Sequence, residues 1–383
     1  FIRKDLSPEN ELQYKELLGS MYETYLSNVS KSIDVPLEEL SNVSNEMKVS
    51  LPAEAENYGL INKVGFEDEL VSVMKSKIGQ KETSKLRKIS INKYIEAMKA
   101  DETSAKDKIA VIVAEGDIVM GGDQGIVGET FANEIRKARN NKSIKAIVLR
   151  INSGGGSMTA SDMIWRELML TKGKKPIIAS MSTAAASGGY YIAMPADSIL
   201  AQPNTITGSI GIFGMWFNFG QFLENKIGIT HDVVKTGKHS DIYTVTRPLT
   251  EVEKSIIQKG VNEGYEVFTR KAADARGMLQ DDLKKIAEGR VWSGLQAKEN
   301  GLIDGIGGLQ DAIEMASDMA ELPEYEVVYL PKEKLFIEDF IEKMSAKVQR
   351  SFVKETLDPY LKKVEGLKNF QGIQARMPQL EVR

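Results

Sequence analysis

Ser187 is followed directly by Gly188 and Gly189, and this triplet comes shortly after an apolar run, residues 176–182. The run predicts a buried strand, and the residues after the serine predict a short buried helix that ends before Pro195. A serine at such a turn presents its hydroxyl beside free backbone N–H groups, an arrangement suited to nucleophilic attack on a carbonyl. The same serine could instead be the N-cap of a tightly packed helix. The stretch by itself fits both interpretations equally.

A second glycine-bearing loop, residues 152–157, follows the apolar run 144–151. Strand and helix patterns alternate through this part of the chain, which predicts an α/β domain with a largely parallel sheet. The carboxyl ends of parallel strands lie at one edge of a sheet, where ligands bind. We therefore expect the backbone N–H groups of Gly155 and Gly188 to form an oxyanion hole beside the Ser187 hydroxyl.

A serine nucleophile needs a general base. The chain has two histidines, His231 and His239, each near an aspartate in a polar stretch that predicts an exposed surface. A lysine whose pKa is lowered by burial can also accept the serine proton, and Lys235 and Lys238 are the nearby candidates. Most lysines are simply solvated. The sequence therefore does not identify which residue is the general base.

Composition narrows the classes of protein that fit. The 383 residues suffice for two domains with sizeable cores. A net charge of −4 gives no case for nucleic-acid binding, and the lack of cysteine excludes disulfides, thiolate metal sites and a thiol nucleophile. No cofactor and no metal ion is expected. No apolar run reaches the roughly 18 residues of a membrane span, so any anchor is expected outside this chain.

The two ends of the chain resemble each other. Residues 59–65 read Gly-Leu-Ile-Asn-Lys-Val-Gly, and residues 301–307 read Gly-Leu-Ile-Asp-Gly-Ile-Gly. The outer glycines are in step, which indicates an internal duplication. We expect residues 108–320 to form a complete second repeat that carries the nucleophile. Residues 1–107 are then the C-terminal part of a first repeat plus a linker, and residues 321–383 are a C-terminal tail.

The motifs resemble those of the signal peptide peptidase A family in its long, two-repeat bacterial form. Residues 151–157 look like its oxyanion loop, residues 186–190 like its nucleophile motif, and residues 207–214 like its third signature. The resemblance covers the chain apart from the tail beyond residue 320. One departure is Gly154, which stands where the family usually has proline. The three motifs occur in order and at sensible spacing, which makes the match specific.

This resemblance implies an α/β fold of crotonase or Clp protease-like repeats, one complete and one N-terminally truncated. It also implies a Ser–Lys dyad that cleaves hydrophobic peptides such as remnant signal peptides, with Ser187 as nucleophile. In the long form the first repeat supplies the lysine, and the repeat alignment places it a few residues before Phe1. Ser240 stands where one-repeat members have their lysine, which leaves Lys238 as the in-chain alternative.

The resemblance further implies a homo-oligomer, a tetramer with shared active sites, on the periplasmic side of the cell inner membrane. Two other classes stay open. A crotonase-fold acyl-CoA enzyme would use the glycine loop to hold a thioester oxyanion; it would need a CoA pocket and have no use for Ser187. A non-catalytic scaffold would leave Ser187 unreactive towards a serine-directed acylating probe.

Overall fold

The computed structural model describes residues 5–99, 105–122, 124–331 and 372–376. By its internal contacts the chain divides into two compact units. The smaller unit is residues 18–104, and the larger unit combines residues 1–17 with residues 105–383. The repeat boundaries expected after residues 107 and 320 stay predictions. Within the described ranges, no helix has both the length and the apolar character needed to span a membrane.

The smaller unit is helical. Its few buried side chains include Leu26, Leu40 and Val43. The sequence predicts a linker in the polar stretch before residue 108, but the structure has a helix at residues 91–99. Ile91, Tyr94 and Ile95 recur there at helical spacing, which accounts for the helix. The helices are α1 (Pro8–Ile33, which begins in the larger unit), α2 (Leu37–Asn45), α3 (Pro52–Asn57), α4 (Glu67–Lys77) and α5 (Ile91–Lys99).

The larger unit alternates strands with helices. Its strands are β1 (Lys108–Glu115), β2 (Ile118–Val119), β3 (Ile126–Val127), β4 (Ile144–Ser153), β5 (Gly155–Ser157), β6 (Ile177–Ala186), β7 (Ser198–Ala201), β8 (Ile206–Gly208), β9 (Phe213–Met215), β10 (Val291–Ser293), β11 (Gly305–Ile306), β12 (Glu326–Leu330) and β13 (Gly372–Arg376). Its helices are α6 (Gly128–Asn140), α7 (Met158–Thr171), α8 (Gly188–Ala193), α9 (Gly220–Phe222), α10 (Glu251–Arg276), α11 (Gln280–Lys285), α12 (Gly294–Glu299) and α13 (Leu309–Met319), with a π-helical turn at Leu223–Ile227.

The main sheet has the strand order β10-β8-β6-β4-β1-β12, and β7 pairs with both β6 and β11. Every pair is parallel except β10 with β8. Strand β6 pairs with β7 through residues 178–180 and then with β8 through residues 184–186. The predicted α/β class with a largely parallel sheet is therefore confirmed.

Side chains of the central strands alternate between two hydrophobic cores, as the two-residue period of a strand requires. On β1, Ile109 and Val111 join the core that α13 completes, whereas Ala110 and Ile112 join the core that α6, α7, α8 and α10 complete. Because helices cover both faces, the strands are apolar at successive positions. This is why the sequence shows β1, β4 and β6 as continuous apolar runs.

The two ends of the chain that resemble each other also share local geometry. A short helix, a left-handed glycine and a second helix follow one another in α3–α4 and in α12–α13. Gly59 and Gly301 have φ values of 69° and 74°. In both segments the residue after this glycine donates its N–H five residues back, over 2.9 Å and 2.8 Å. This positive φ favours glycine at both turns.

Glu167 on α7 is a buried carboxylate that holds α6 against α7. Arg139 donates to one of its oxygens at 2.6 Å, and Arg136 donates to the other. Burial opposes ionisation of Glu167, but the hydrogen bonds from the two guanidinium groups outweigh it and hold its pKa below the usual value. The ion pairs therefore stabilise the fold only while Glu167 is ionised.

We expect Glu167→Gln to lower the free energy of unfolding by about 2–3 kcal/mol at pH 7, because two arginines lose a charged partner. A depressed folded-state pKa contributes stability above the unfolded pKa of about 4.3 and loses it as the pH falls. Urea denaturation at several pH values should show the gap to the parent protein narrowing below about pH 4. Glu134→Gln, which breaks the 2.7 Å surface pair with Lys137, should cost under about 0.5 kcal/mol. A gap independent of pH would contradict this account.

Candidate active site

Strands β4 and β6 end side by side, and each end carries one of the two glycine motifs. They are parallel neighbours, and Ser153 near the end of β4 pairs with Ala185 near the end of β6. The glycine loop after β4 and the serine after β6 consequently lie together at the carboxyl edge of the sheet. This is the juxtaposition that the sequence predicts.

The backbone at Ser187 is strained. Its φ is 54° and its ψ is −114°, a combination that residues other than glycine rarely adopt. Two backbone hydrogen bonds fix it: Ser187 N–H donates to the Gly208 carbonyl at 2.8 Å, and Tyr191 N–H donates to the Ser187 carbonyl at 2.8 Å. Strain of this kind is held by the surrounding structure and clusters at functional sites. The third sequence motif, which contains Gly208, therefore positions the serine.

The Ser187 hydroxyl is buried and has no hydrogen-bond partner among the described residues. The residue is 1% exposed. Its side chain makes no capping hydrogen bond to α8, which argues against the interpretation of this serine as a helix cap. A buried hydroxyl left unpaired is costly, because it gives up hydrogen bonds to water without replacing them. This geometry is compatible with the predicted role of Ser187 as a nucleophile, which stays a prediction.

The two predicted oxyanion donors lie next to each other. A methyl group placed on Gly188 would come within 3.1 Å of the Gly155 Cα and 2.8 Å of the Ser161 hydroxyl. Gly188 is the first residue of α8, so its N–H precedes the hydrogen bonds within the helix. The Gly155 N–H instead donates to the Ser153 hydroxyl at 3.1 Å. Gly155 must share or exchange that bond to serve an oxyanion, and its role stays a prediction.

None of the candidate bases in the chain makes a hydrogen bond to the Ser187 hydroxyl. His231 and Lys238 are exposed. Lys235 forms an ion pair with Asp241 at 2.9 Å. His239 Nδ1 lies 3.3 Å from Glu253 Oε1, so its carboxylate partner is Glu253, not the aspartate two residues away in sequence.

These side chains belong to a cluster centred on Arg247. The arginine makes hydrogen bonds to both Asp241 and Glu253, at 2.7–2.9 Å. Those bonds, with the further one from Lys235 to Asp241, hold the pKa of each carboxyl well below its usual range. The segment is thus built around a cluster of ion pairs, in which Lys235 is engaged by Asp241.

Two tyrosines, Tyr190 at the end of the nucleophile motif and Tyr191 directly after it, fasten α8 to the rest of the domain. The Tyr190 hydroxyl donates to the Leu302 carbonyl at 2.8 Å, and the Tyr191 hydroxyl donates to Asp162 at 2.6 Å. Lys271 also binds Asp162, and its ammonium lies 3.4 Å from the Trp165 ring centroid. Burial raises the pKa of both tyrosines. They act as neutral donors that position the helix behind Ser187.

A second, small sheet borders the site, with the strand order β3-β2-β5-β13-β9. Its β5 is the glycine loop itself, and Gly156 there has a φ of 154°. A methyl group on Gly156 would lie 2.0 Å from the Ile118 carbonyl oxygen, so the close approach of β2 to β5 requires glycine. Strand β13, from near the C-terminus of the chain, lies between β5 and β9.

Fold and site together give a largely parallel α/β domain with a buried serine at a strained turn, beside a glycine loop at the carboxyl edge of the sheet. The chain belongs to peptidase family S49, whose model matches residues 1–81 and 169–323. Membership confirms the predicted family resemblance and, with the sheet, the predicted Clp protease-like fold class. The truncation of the first repeat stays a prediction.

Known relatives extend beyond this chain. The chloroplastic serine protease SPPA of Arabidopsis thaliana is 34% identical over 98% of the chain and 56% of its own length. Protease 4 of Salmonella typhi is 33% identical over 94% of the chain and 59% of its own length. The chain thus spans little more than half of these relatives. Among solved structures, a point mutant of ClpP1 from Listeria monocytogenes aligns with 53% of this chain and 94% of its own, at 18% identity and a TM-score of 0.37.

Proposed function

We propose that the full-length protein is a membrane-associated serine endopeptidase that degrades hydrophobic peptides, including remnant signal peptides. The observation that carries this proposal is the Ser187 hydroxyl, which is buried, unpaired among the described residues and held at a strained turn. The glycine loop beside it and the name of the Arabidopsis relative, a serine protease, support the same interpretation.

In the proposed reaction, a neutral lysine amine takes the proton of the Ser187 hydroxyl as that oxygen attacks the substrate carbonyl carbon. The carbonyl electron pair moves onto oxygen, where the backbone N–H groups of Gly188 and Gly155 stabilise the charge. As the C–N bond breaks, the lysine returns the proton to the leaving amine. Water, deprotonated by the same lysine, then hydrolyses the ester at Ser187.

The general base in this proposal is a lysine of the full-length protein that precedes residue 1. Two observations support it. No base contacts the Ser187 hydroxyl among the described residues, and the relatives have a further two fifths or so of sequence that this chain does not cover. A lysine beside an apolar, water-poor site has a lowered pKa, because burial disfavours its charged form. It can then accept a proton near neutral pH.

The experiment compares the full-length protein with residues 1–383 on a quenched fluorescent hydrophobic peptide. We expect the shorter chain to be slower by about 10²–10⁴-fold, the usual contribution of a general base. Circular dichroism checks that it is folded. Equal rates would contradict the proposal that the general base precedes residue 1. The variants Lys235→Ala and Lys238→Ala would then test the lysines within the chain. No peptide hydrolysis by the full-length protein would overturn the proposed function itself.

We also propose that the full-length protein is a homo-oligomer, a tetramer, on the periplasmic side of the inner membrane. This part follows from the family resemblance. Light scattering of the detergent-solubilised protein gives the number of subunits, and protease accessibility in spheroplasts gives the side of the membrane. A monomer, or a protein shielded in spheroplasts, would contradict it.

A further inference from the structure

The register between β4 and β6 is broken once, just before β6 reaches Ser187. Between two successive pairs, β4 advances over residues 151–153 while β6 advances over residues 181–185. Asn152 alone therefore lies opposite residues 182–184, and β6 contains a bulge at this point. Bulges interrupt a ladder and change the direction in which the strand continues, and they are common beside active sites.

Hydrogen bonds from side chains hold this bulge where the ladder between β4 and β6 is interrupted. The Ala184 N–H donates to the Asn152 Oδ1 at 3.3 Å. The Thr205 hydroxyl donates to the Ser182 carbonyl at 2.7 Å. The Arg150 guanidinium donates to the Ser182 hydroxyl at 2.9 Å. Of these three, the bond to Asn152 is the one that joins β4 to the backbone of β6 directly before the serine.

The bulge determines where Ser187 lies relative to the glycine loop. The pair that follows it, Ser153 with Ala185, lies two residues before Gly155 on one strand and two residues before Ser187 on the other. A strand advances about 3.3 Å per residue, so a slip of one residue at the bulge would move Ser187 along the loop by about that distance. A misplacement of about 1 Å can already cost about 10²-fold in rate.

We infer that Asn152 is a positioning residue for the oxyanion hole: its side-chain oxygen holds the bulge of β6 and so aligns the turn at Ser187 and Gly188 with Gly155. The inference rests on the proposed function and deepens it, because it names a side chain that aligns the nucleophile with both oxyanion donors. The role requires an acceptor, since the Asn152 oxygen takes the place of a backbone carbonyl as the partner of the Ala184 N–H. Aspartate supplies the same acceptor, whereas leucine fills a similar volume without one.

The surroundings of Asn152 suit an aspartate at this position. Arg150 lies two residues earlier on β4 and therefore on the same face of the sheet. Its guanidinium donates to the hydroxyls of Ser180 and Ser182 and forms no ion pair with the residues that the structure describes. Glu115, opposite Asn152 on β1, is exposed, so solvent screens its charge. Asn152→Asp thus keeps the acceptor and places its charge near an arginine that lacks a counter-ion.

Steady-state kinetics of the full-length protein test the role of the acceptor. We expect Asn152→Leu and Asn152→Ala to lower kcat by about 10²-fold through misalignment, with KM nearly unchanged because the groups that bind the peptide remain. Asn152→Asp should restore most of the lost kcat. The matched control is Asn141→Leu, because the Asn141 Oδ1 also accepts a backbone N–H, from Ser143 at 3.0 Å, but at the end of α6. The control should keep the parental kcat.

Hydrogen–deuterium exchange gives a readout that does not depend on hydrolysis. Amide exchange at residues 182–184 should rise by about tenfold or more in Asn152→Leu and Asn152→Ala, because the bulge opens more easily. It should stay at the parental level in Asn152→Asp and in the Asn141→Leu control. Unchanged exchange in the two variants that lack the acceptor would overturn the inference.

The two measurements together separate this inference from the proposed function. Faster exchange in the variants of a protein that hydrolyses no peptide would sustain the hold of Asn152 on the bulge and refute the proposed function. Hydrolysis with a parental kcat in Asn152→Leu and Asn152→Ala would refute the inference and leave the proposed function standing. Equal losses of kcat in all three Asn152 variants would also refute it, because the acceptor would then not be the group that matters.

Discussion

Ser187→Ala in the full-length protein should abolish peptide hydrolysis, lowering kcat by about 10⁴-fold or more, as expected when a nucleophile that acts with its base as a unit is removed. The fold should survive, because the lost hydroxyl makes no hydrogen bond among the described residues. Thermal unfolding should show a melting temperature equal to or above that of the parent protein, since an unpaired buried polar group is removed.

Ser317→Ala is the matched control for this experiment. Ser317 is also a buried serine, but it lies on α13 and donates to the Leu322 carbonyl at 2.9 Å. Its loss should cost about 1 kcal/mol of stability and leave the rate unchanged. A serine-directed fluorophosphonate should label the parent and the control but not Ser187→Ala. Full activity in Ser187→Ala would exclude this residue as the nucleophile.

Gly188→Ala should lower kcat/KM by about 10²-fold or more in the full-length protein, the usual effect of disturbing one oxyanion donor. The added methyl group would lie 3.1 Å from the Gly155 Cα and 2.9 Å from the Ala375 carbonyl oxygen, so it crowds the space beside both predicted oxyanion donors. Its other close neighbour, the Ser161 hydroxyl at 2.8 Å, lies on a side chain that can rotate. We therefore expect a larger effect on the reaction than on stability.

Gly173→Ala separates this effect from a general cost of replacing glycine. Gly173 has a φ of 77° and open space around it, so alanine there meets backbone strain and no neighbour. It should lose about 1 kcal/mol of stability and keep its full rate. Steady-state kinetics and urea denaturation of both variants measure the effects on rate and on stability separately. If Gly188→Ala hydrolyses peptides at the parental rate, Gly188 is not an oxyanion donor.

Two simple rules are enough to predict from the sequence that Ser187 lies close to the glycine loop. Apolar runs mark the buried strands, and parallel strands place their carboxyl ends at one edge. The end of β6 is harder to predict: the sequence favours a strand ending near residue 182, whereas pairing with β8 carries it to Ala186. That pairing involves residues about twenty positions away, and small residues carry no strand signal of their own.

Other parts of the site depend on packing that no local pattern encodes. The bond from Gly155 N–H to Ser153 depends on one side-chain rotamer, and the link from Tyr191 through Asp162 to Lys271 joins three separate helices. Strand β13 lies in the part of the tail for which the sequence predicts no element at all. Its five residues gain their strand geometry from two partners far away in the chain.

Strand β12 has a consequence for the order in which the chain folds. Its residues 326–330 cover the outer edge of β1, residues 108–112, along the full length of β12. During synthesis the apolar edge of β1 is therefore exposed until almost the whole domain has left the ribosome. Uncovered edges of this kind recruit other strands and promote aggregation. Nascent chains that stall before residue 330 should consequently depend on chaperones, whereas those released after it close their sheet unaided.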